Sequence, residues 1–199
     1  MIRNDGALMR HELAYILGQI GNPYACPHLI TILEDENDDI LVRHECAEAL
    51  GAIGSAESVP ILMKYMNHKA IEIAETCQIA IDLIKWKCEQ HLNSASESSL
   101  YLSEDPAPPV SDNFSIEQLR DQLLDSQLSL FNRYRAMFSL RNYNNDSAAL
   151  ALVSGFSDSS ALFRHEIAFV LGQMQRPVTI EGLALVLQKE DEHRMVRYT

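Results

Sequence analysis

The sequence is poor in positive charge. It has 16 lysines and arginines against 28 aspartates and glutamates, for a net charge of −12. A protein that grips a phosphate backbone needs a basic patch, so nucleic-acid binding is not the expected role. The acidic balance suits a cationic partner, either a basic protein or a polyamine-like group. Long apolar runs are missing too: nowhere do about 18 apolar residues follow one another, so no membrane span is expected. The N-terminal MIRNDGALMR holds no apolar core of signal-peptide length. Cysteine is scarce. Cys26, Cys46, Cys77 and Cys88 all fall in the first half, irregularly spaced and without a CxxC. That pattern argues against a disulfide framework or a thiolate zinc site, and it suits reduced packing thiols in a cytoplasmic protein. No P-loop, GxGxxG or nucleophile elbow is present. No strand pattern stands out either.

What the chain does have is a repeat. RHELAYILGQIG at Arg10 returns as RHECAEALGAIG at Arg43 and as RHEIAFVLGQMQ at Arg164. His44 follows His11 by 33 residues (44 − 11), and His165 follows it by 154 (165 − 11). Either step, applied to the other pair, leads to a fourth His-Glu at 198–199. Met195-Val196-Arg197 echoes Leu41-Val42-Arg43 up to that point, and the sequence then reads Tyr198-Thr199. Weaker units at Ala74–Ala80 and Tyr134–Leu140 keep the apolar pattern but lack His-Glu. The spacing carries the expectation that both ends are shortened, with exposed apolar end faces and marginal stability.

Each unit reads as a helical hairpin. In RHELAYILGQIG the apolar residues Leu13, Tyr15, Ile16, Leu17 and Ile20 recur at helical spacing, and Gly21 and Pro23 supply a stop. A second helix over Ala25–Leu33 follows, and then the acidic turn Glu34–Asp39. Two helices per unit of about 30 residues describe an all-α fold, an α-solenoid of HEAT-like hairpins. Between Cys88 and Ser115 the period fails and serine, proline and acid dominate. The expected division is an N-terminal repeat half over 1–87, a linker over 88–115 and a C-terminal repeat half over 116–199. Gly18, Gly51 and Gly172 recur in register inside helices, which suggests close helix–helix approach. His28, His68, His91 and His193 fall outside the repeated position and are expected on the surface or in loops. Trp86 is expected to pack.

Two explanations of His-Glu compete. Repeats are copied with their structural residues, and a Glu in a first turn favours the helix dipole by a few tenths of a kcal/mol. Against this, the units at Glu75 and Tyr134 show that the architecture does not require the pair. Neighbouring helical residues point about 100° apart, so His and Glu can line one groove without facing one point. Imidazole and carboxylate together suit iron, manganese or zinc, and facing helices can hold two metals in this way. The metal candidates are His11, Glu12, His44, Glu45, His165 and Glu166.

RHELAYILGQIG, VRHECAEALGAIG, YLSEDPAPP, FNRYRAMFSLRN and SALFRHEIAFVLGQMQ together closely resemble the deoxyhypusine hydroxylase family, from about Ala7 to Arg197. The resemblance implies two HEAT-repeat halves whose four His-Glu motifs enclose a non-haem di-iron centre. It implies dioxygen as co-substrate and, as protein substrate, a translation factor carrying deoxyhypusine, a cationic side chain that is converted to hypusine. Carried over, one iron would draw on His11, His44 and Glu166. The other would draw on Glu12, His165 and the fourth histidine, for which this sequence has Tyr198. Glu45 is the residue expected to orient the cationic substrate. With the fourth motif absent, an incomplete centre and weak or no activity are expected. The alternatives are a non-catalytic HEAT scaffold that binds a basic protein, and a bilin-lyase-like HEAT protein.

Overall fold

The computed structural model describes residues 6–90, 101–110 and 113–198. The chain falls into two compact units, Met1–Pro106 and Ala107–Thr199. Every regular element among the described residues is helical, and no helix is long and apolar enough to cross a membrane.

Unit 1 holds α1 (Ala7–Ile20), α2 (Cys26–Glu34), α3 (Ile40–Ile53), α4 (Val59–Tyr65) and α5 (Ile71–Gln90). The long helices α1, α3 and α5 pack in sequence, with α2 against α3 and α4 against α5. Unit 2 holds α6 (Ile116–Leu124), α7 (Leu130–Tyr143), α8 (Asp146–Val153), α9 (Ala161–Met174), α10 (Ile180–Leu187) and α11 (Arg194–Arg197). This is the expected solenoid of helical hairpins. Local chemistry sets the ends. Asp39 accepts from Leu41 N–H at the start of α3, and Ser115 and Gln118 form a reciprocal cap on α6. The long helices α1, α3, α7 and α9 all stop on a left-handed residue. Gly21 and Gly54 take that position in unit 1, and Asn144 and Gln175 take it in unit 2.

The segment expected to link the halves is shared between them. Its first residues, Cys88–Gln90, continue α5. Glu104 bonds Gln19 and Lys87 in unit 1. In unit 2, Arg135 donates to the Pro108 and Pro109 carbonyls, and Val110 N–H donates to Ser139. Positions 91–100, including His91, and 111–112 lie outside the described residues.

The arginine of each RHE is structural. Arg10 makes a two-pronged bond to Asp38 at 2.5 and 2.6 Å. Arg43 Nε donates to the Leu33 carbonyl at the end of α2, and its fork reaches Glu36. Arg133 repeats the arrangement with the Leu123 carbonyl at the end of α6 and Asp158. Arg164 grips the Glu192 carboxylate and the Asp158 carbonyl. A guanidinium thus satisfies the orphan carbonyl of one helix end and ties down an acidic loop.

Burial pushes the Glu192 carboxyl up, but the Arg164 fork and the His193 N–H outweigh it and hold it below the ordinary carboxylate range. A depressed carboxyl stabilises the fold above its ordinary pKa of about 4.3 and loses that contribution as pH falls through the folded value. Glu192→Gln should therefore cost about 1–3 kcal/mol at neutral pH. The gap to wild type should close in acid. Urea midpoints measured across pH check this, and a pH-independent gap would refute it.

The recurring glycines behave differently from one another. A Cβ on Gly51 would stand 2.8 Å from the Ala80 Cβ and 2.9 Å from its Cα, and one on Gly18 would stand 3.0 Å from the Ala49 Cα. These two permit close approach of α1, α3 and α5. Gly172 would meet nothing within 4 Å, so no close approach explains it. Gly51→Ala is expected to lose about 1–3 kcal/mol by overpacking, and Gly172→Ala to gain up to about 1 kcal/mol of helix propensity. Thermal melts of the two variants should move in opposite directions.

Candidate metal centre

The repeat places His11, His44 and His165 at one position on α1, α3 and α9, and all three side chains are buried. In unit 1 the packing of α1 on α3 brings His11 and His44 together, with ring centroids 5.4 Å apart. His11 Nε2 lies 3.0 Å from Glu45 Oε2. His44 is 0% exposed and Glu45 3%. The buried face of α1 is Ala7, His11, Ala14 and Gly18. The large apolar residues Leu13, Ile16 and Ile20, whose spacing announced the helix, are exposed. The period was read correctly, but the face that packs on α3 is the small one, because close approach leaves room only for small side chains and a histidine.

Glu12 stands apart from this cluster. Its side chain is more than half exposed and touches His11 Nδ1 at 3.3 Å. Glu48 stands beside the cluster: donor atoms of His44, Glu45 and Glu48 all lie within 4.8 Å of one another. The signal for it was present, since Glu48 is four residues beyond His44 and so shares its helix face. In unit 2, His165 and Glu166 are buried on α9, and His165 Nδ1 lies 3.3 Å from the Met195 carbonyl. An imidazole that donates Nδ1–H to a carbonyl presents Nε2 as a lone pair, the form a metal takes.

His28 is exposed, as expected for a surface histidine. His68 binds Glu36 and caps Ala70 N–H, and His193 caps α11. Tyr134 occupies the histidine position in α7 and is packed against Phe163. Tyr198, at the position computed for a fourth histidine, is exposed beyond α11, and Thr199 lies outside the described residues.

The electrostatics favour a cation. Burial opposes protonation of His11, but Glu45 and then Glu12 outweigh it and raise its pKa. Burial, aided by Glu45 and Asp38, pushes the Cys46 thiol up to about 12, and burial pushes Cys77 to about 12. Neither thiol stands among the groups able to share an ion, so the donors gathered there are imidazole and carboxylate. That set fits iron, manganese or zinc. The 3.0 Å between His11 and Glu45 also fits, since two donors about 2.1 Å from one ion at right angles stand about 3 Å apart.

Comparison with known proteins gives a consistent result. Residues 2–81 match the HEAT repeats family. The chain is 50% identical over 200 residues to the deoxyhypusine hydroxylase of Candida albicans, covering 98% of this chain and 63% of that protein. It is 46% identical to the rat deoxyhypusine hydroxylase, covering 98% and 64%. The structure of human deoxyhypusine hydroxylase in complex with glycerol matches with a TM-score of 0.93 at 46% identity, over 98% of this chain and 67% of that one. The chain therefore spans just under two thirds of the length of the yeast and rat relatives.

Proposed function

Because the chain belongs to the deoxyhypusine hydroxylase family, we propose that it hydroxylates deoxyhypusine on a translation factor, in the cytoplasm, with iron and dioxygen. The observation that carries this reading is the buried imidazole–carboxylate set at one repeat position, with His11 and Glu45 at metal-donor spacing. His11, Glu12, His44 and Glu45 from unit 1, and His165 and Glu166 from unit 2, are the residues this chain would contribute to a two-iron centre, whose fourth pair the repeat places at Tyr198 and Thr199. Iron, when bound, supplies the activation of dioxygen. The functional division we propose is a repeat half over 1–87, a linker over 88–115 and a second repeat half over 116–199.

The remaining work belongs to the chain. Burial of His44 and Glu45 keeps bulk water from the donors. Glu45 Oε2, 3.0 Å from His11 Nε2, favours the protonated imidazole, and a bound cation would take the proton's place. The Met195 carbonyl fixes the His165 tautomer. Glu45, buried, also orients the secondary ammonium of the substrate arm. The net charge of −12 draws in a cationic side chain and repels nucleic acid.

The test is to load the chain with iron, mix it with the translation factor carrying deoxyhypusine, and follow the substrate by mass spectrometry. Gain of one oxygen atom, dependent on iron and air and lost on changing His11, His44 and His165 to Ala, is the expected result. Substrate binding that survives both chelation and the triple change, without oxygen gain, would leave a non-catalytic scaffold.

A further inference from the structure

Glu48 is the acid that the His-Glu motif does not explain. It lies one turn beyond His44 on α3, about 6 Å further along the axis, with its carboxylate near the donors of His44 and Glu45. The repeat does not call for an acid there. The same position holds Tyr15 in α1, Gln78 in α5, Phe138 in α7 and Phe169 in α9. Glu48 also differs from Glu45 in exposure: Glu45 is buried, whereas Glu48 is half-buried and open to what arrives from solvent.

Its surroundings suit an ammonium head group. Glu48 lines a recess of about 10 Å³, the size of one water or one ammonium, whose other walls are Thr76, Ile79, Ala80, Leu83 and Pro106. A carboxylate set against apolar walls attracts a cation more strongly than one in water. Tyr15 stands at the matching register on α1, half-buried. The two helices are drawn close there, since Gly18 leaves room for Ala49, the neighbour of Glu48. The Glu48 carboxylate lies within 4.8 Å of the His44 and Glu45 donors, a distance that a short aminoalkyl arm spans.

Resting on the function proposed above, we propose that Glu48 is a specificity-determining residue that receives the distal ammonium of the deoxyhypusine side chain, while His44 and Glu45 serve the metal.

The experiment uses the full chain, wild type and Glu48→Gln. Cobalt(II) titration, read by its absorption bands, reports the metal site. Calorimetry on the cobalt-loaded protein reports binding of free deoxyhypusine and of deoxyhypusine acetylated on its terminal amine. The expected result is an unchanged cobalt titration, with deoxyhypusine affinity reduced about ten- to hundredfold by loss of one charge-assisted bond. The acetylated ligand should bind both proteins equally. Equal binding of free deoxyhypusine to both proteins would overturn the inference and leave the proposed function standing. A variant that loses cobalt makes Glu48 a metal ligand and also overturns it. Failure of the wild type to bind deoxyhypusine at all would remove the functional reading itself, and the inference with it.

Discussion

Arg133→Ala is expected to lower the stability of unit 2 by about 3–5 kcal/mol, because it strips a buried charge from its partners. The guanidinium is 5% exposed. It bonds the Leu123 carbonyl and Asp158 and lies over the Phe163 ring at 4.1 Å. Removing it orphans a helix-end carbonyl and leaves the Asp158 carboxylate beside an apolar ring. Total stability of a domain is about 5–15 kcal/mol, so the loss is a large fraction of what there is. In a chain of this size it corresponds to a fall of roughly 6–20 °C in melting temperature. Arg133→Lys should recover only part, since an ammonium cannot reach both acceptors in the planar geometry of the fork. Calorimetry on the three proteins decides the matter, and an alanine variant that melts like wild type would show that the clamp is ornamental.

His44→Leu should do the reverse. His44 is fully buried, and on the proposed function it serves the metal site and not the fold. Leucine is near it in volume and carries no polar atom to satisfy. The metal-free variant should therefore stay within about 1.5 kcal/mol of wild type. Metal binding should fall at least about a hundredfold, since groups that merely orient metal ligands already carry roughly 10–100-fold. Cobalt or iron titration beside a urea melt gives both numbers from one preparation. A variant that unfolds while still binding metal would return the histidine to architecture.

Together these two results would separate two neighbouring repeat positions: the arginine, kept in α7 where no histidine follows it, belongs to the repeat, and the histidine to the site. The sequence alone could not make that division. Periodicity exposed the helices, the hairpins and the caps, because those depend on residues close together in the chain. It did not show which face of α1 packs, because Leu13 and Ile16 have the right spacing whether or not a helix lies beside them. The small face won, through the Gly18–Ala49 approach, which depends on two residues 31 positions apart (49 − 18). Gly18 and Gly51 were legible as contact glycines. Gly172 has the same local sequence and no such contact, since the contact is made by the facing helix. His11, His44 and Glu45 were found by repetition. Glu48 escaped because it occurs in one repeat only, and an acid among −12 net charges is easily taken for a solvated surface. Comparing the same position across repeats, where Tyr15 and Phe169 stand, is what singles it out.

The packing order of unit 1 also bears on how it folds. Its main contacts run from α1 to α3, from α3 to α5, and from the short helices α2 and α4 to the long helices that follow them, α3 and α5. Such pairings close loops of modest length, so little chain entropy must be lost before the first contacts form. A chain built this way collapses quickly, from whichever hairpin happens to nucleate. The central hairpin, flanked on both sides, should be the last to open, and the donors on α3 sit within it. His44 and Glu45 are therefore carried by the slowest-exchanging segment of the unit, and an ion held by them would leave only as fast as that segment breathes.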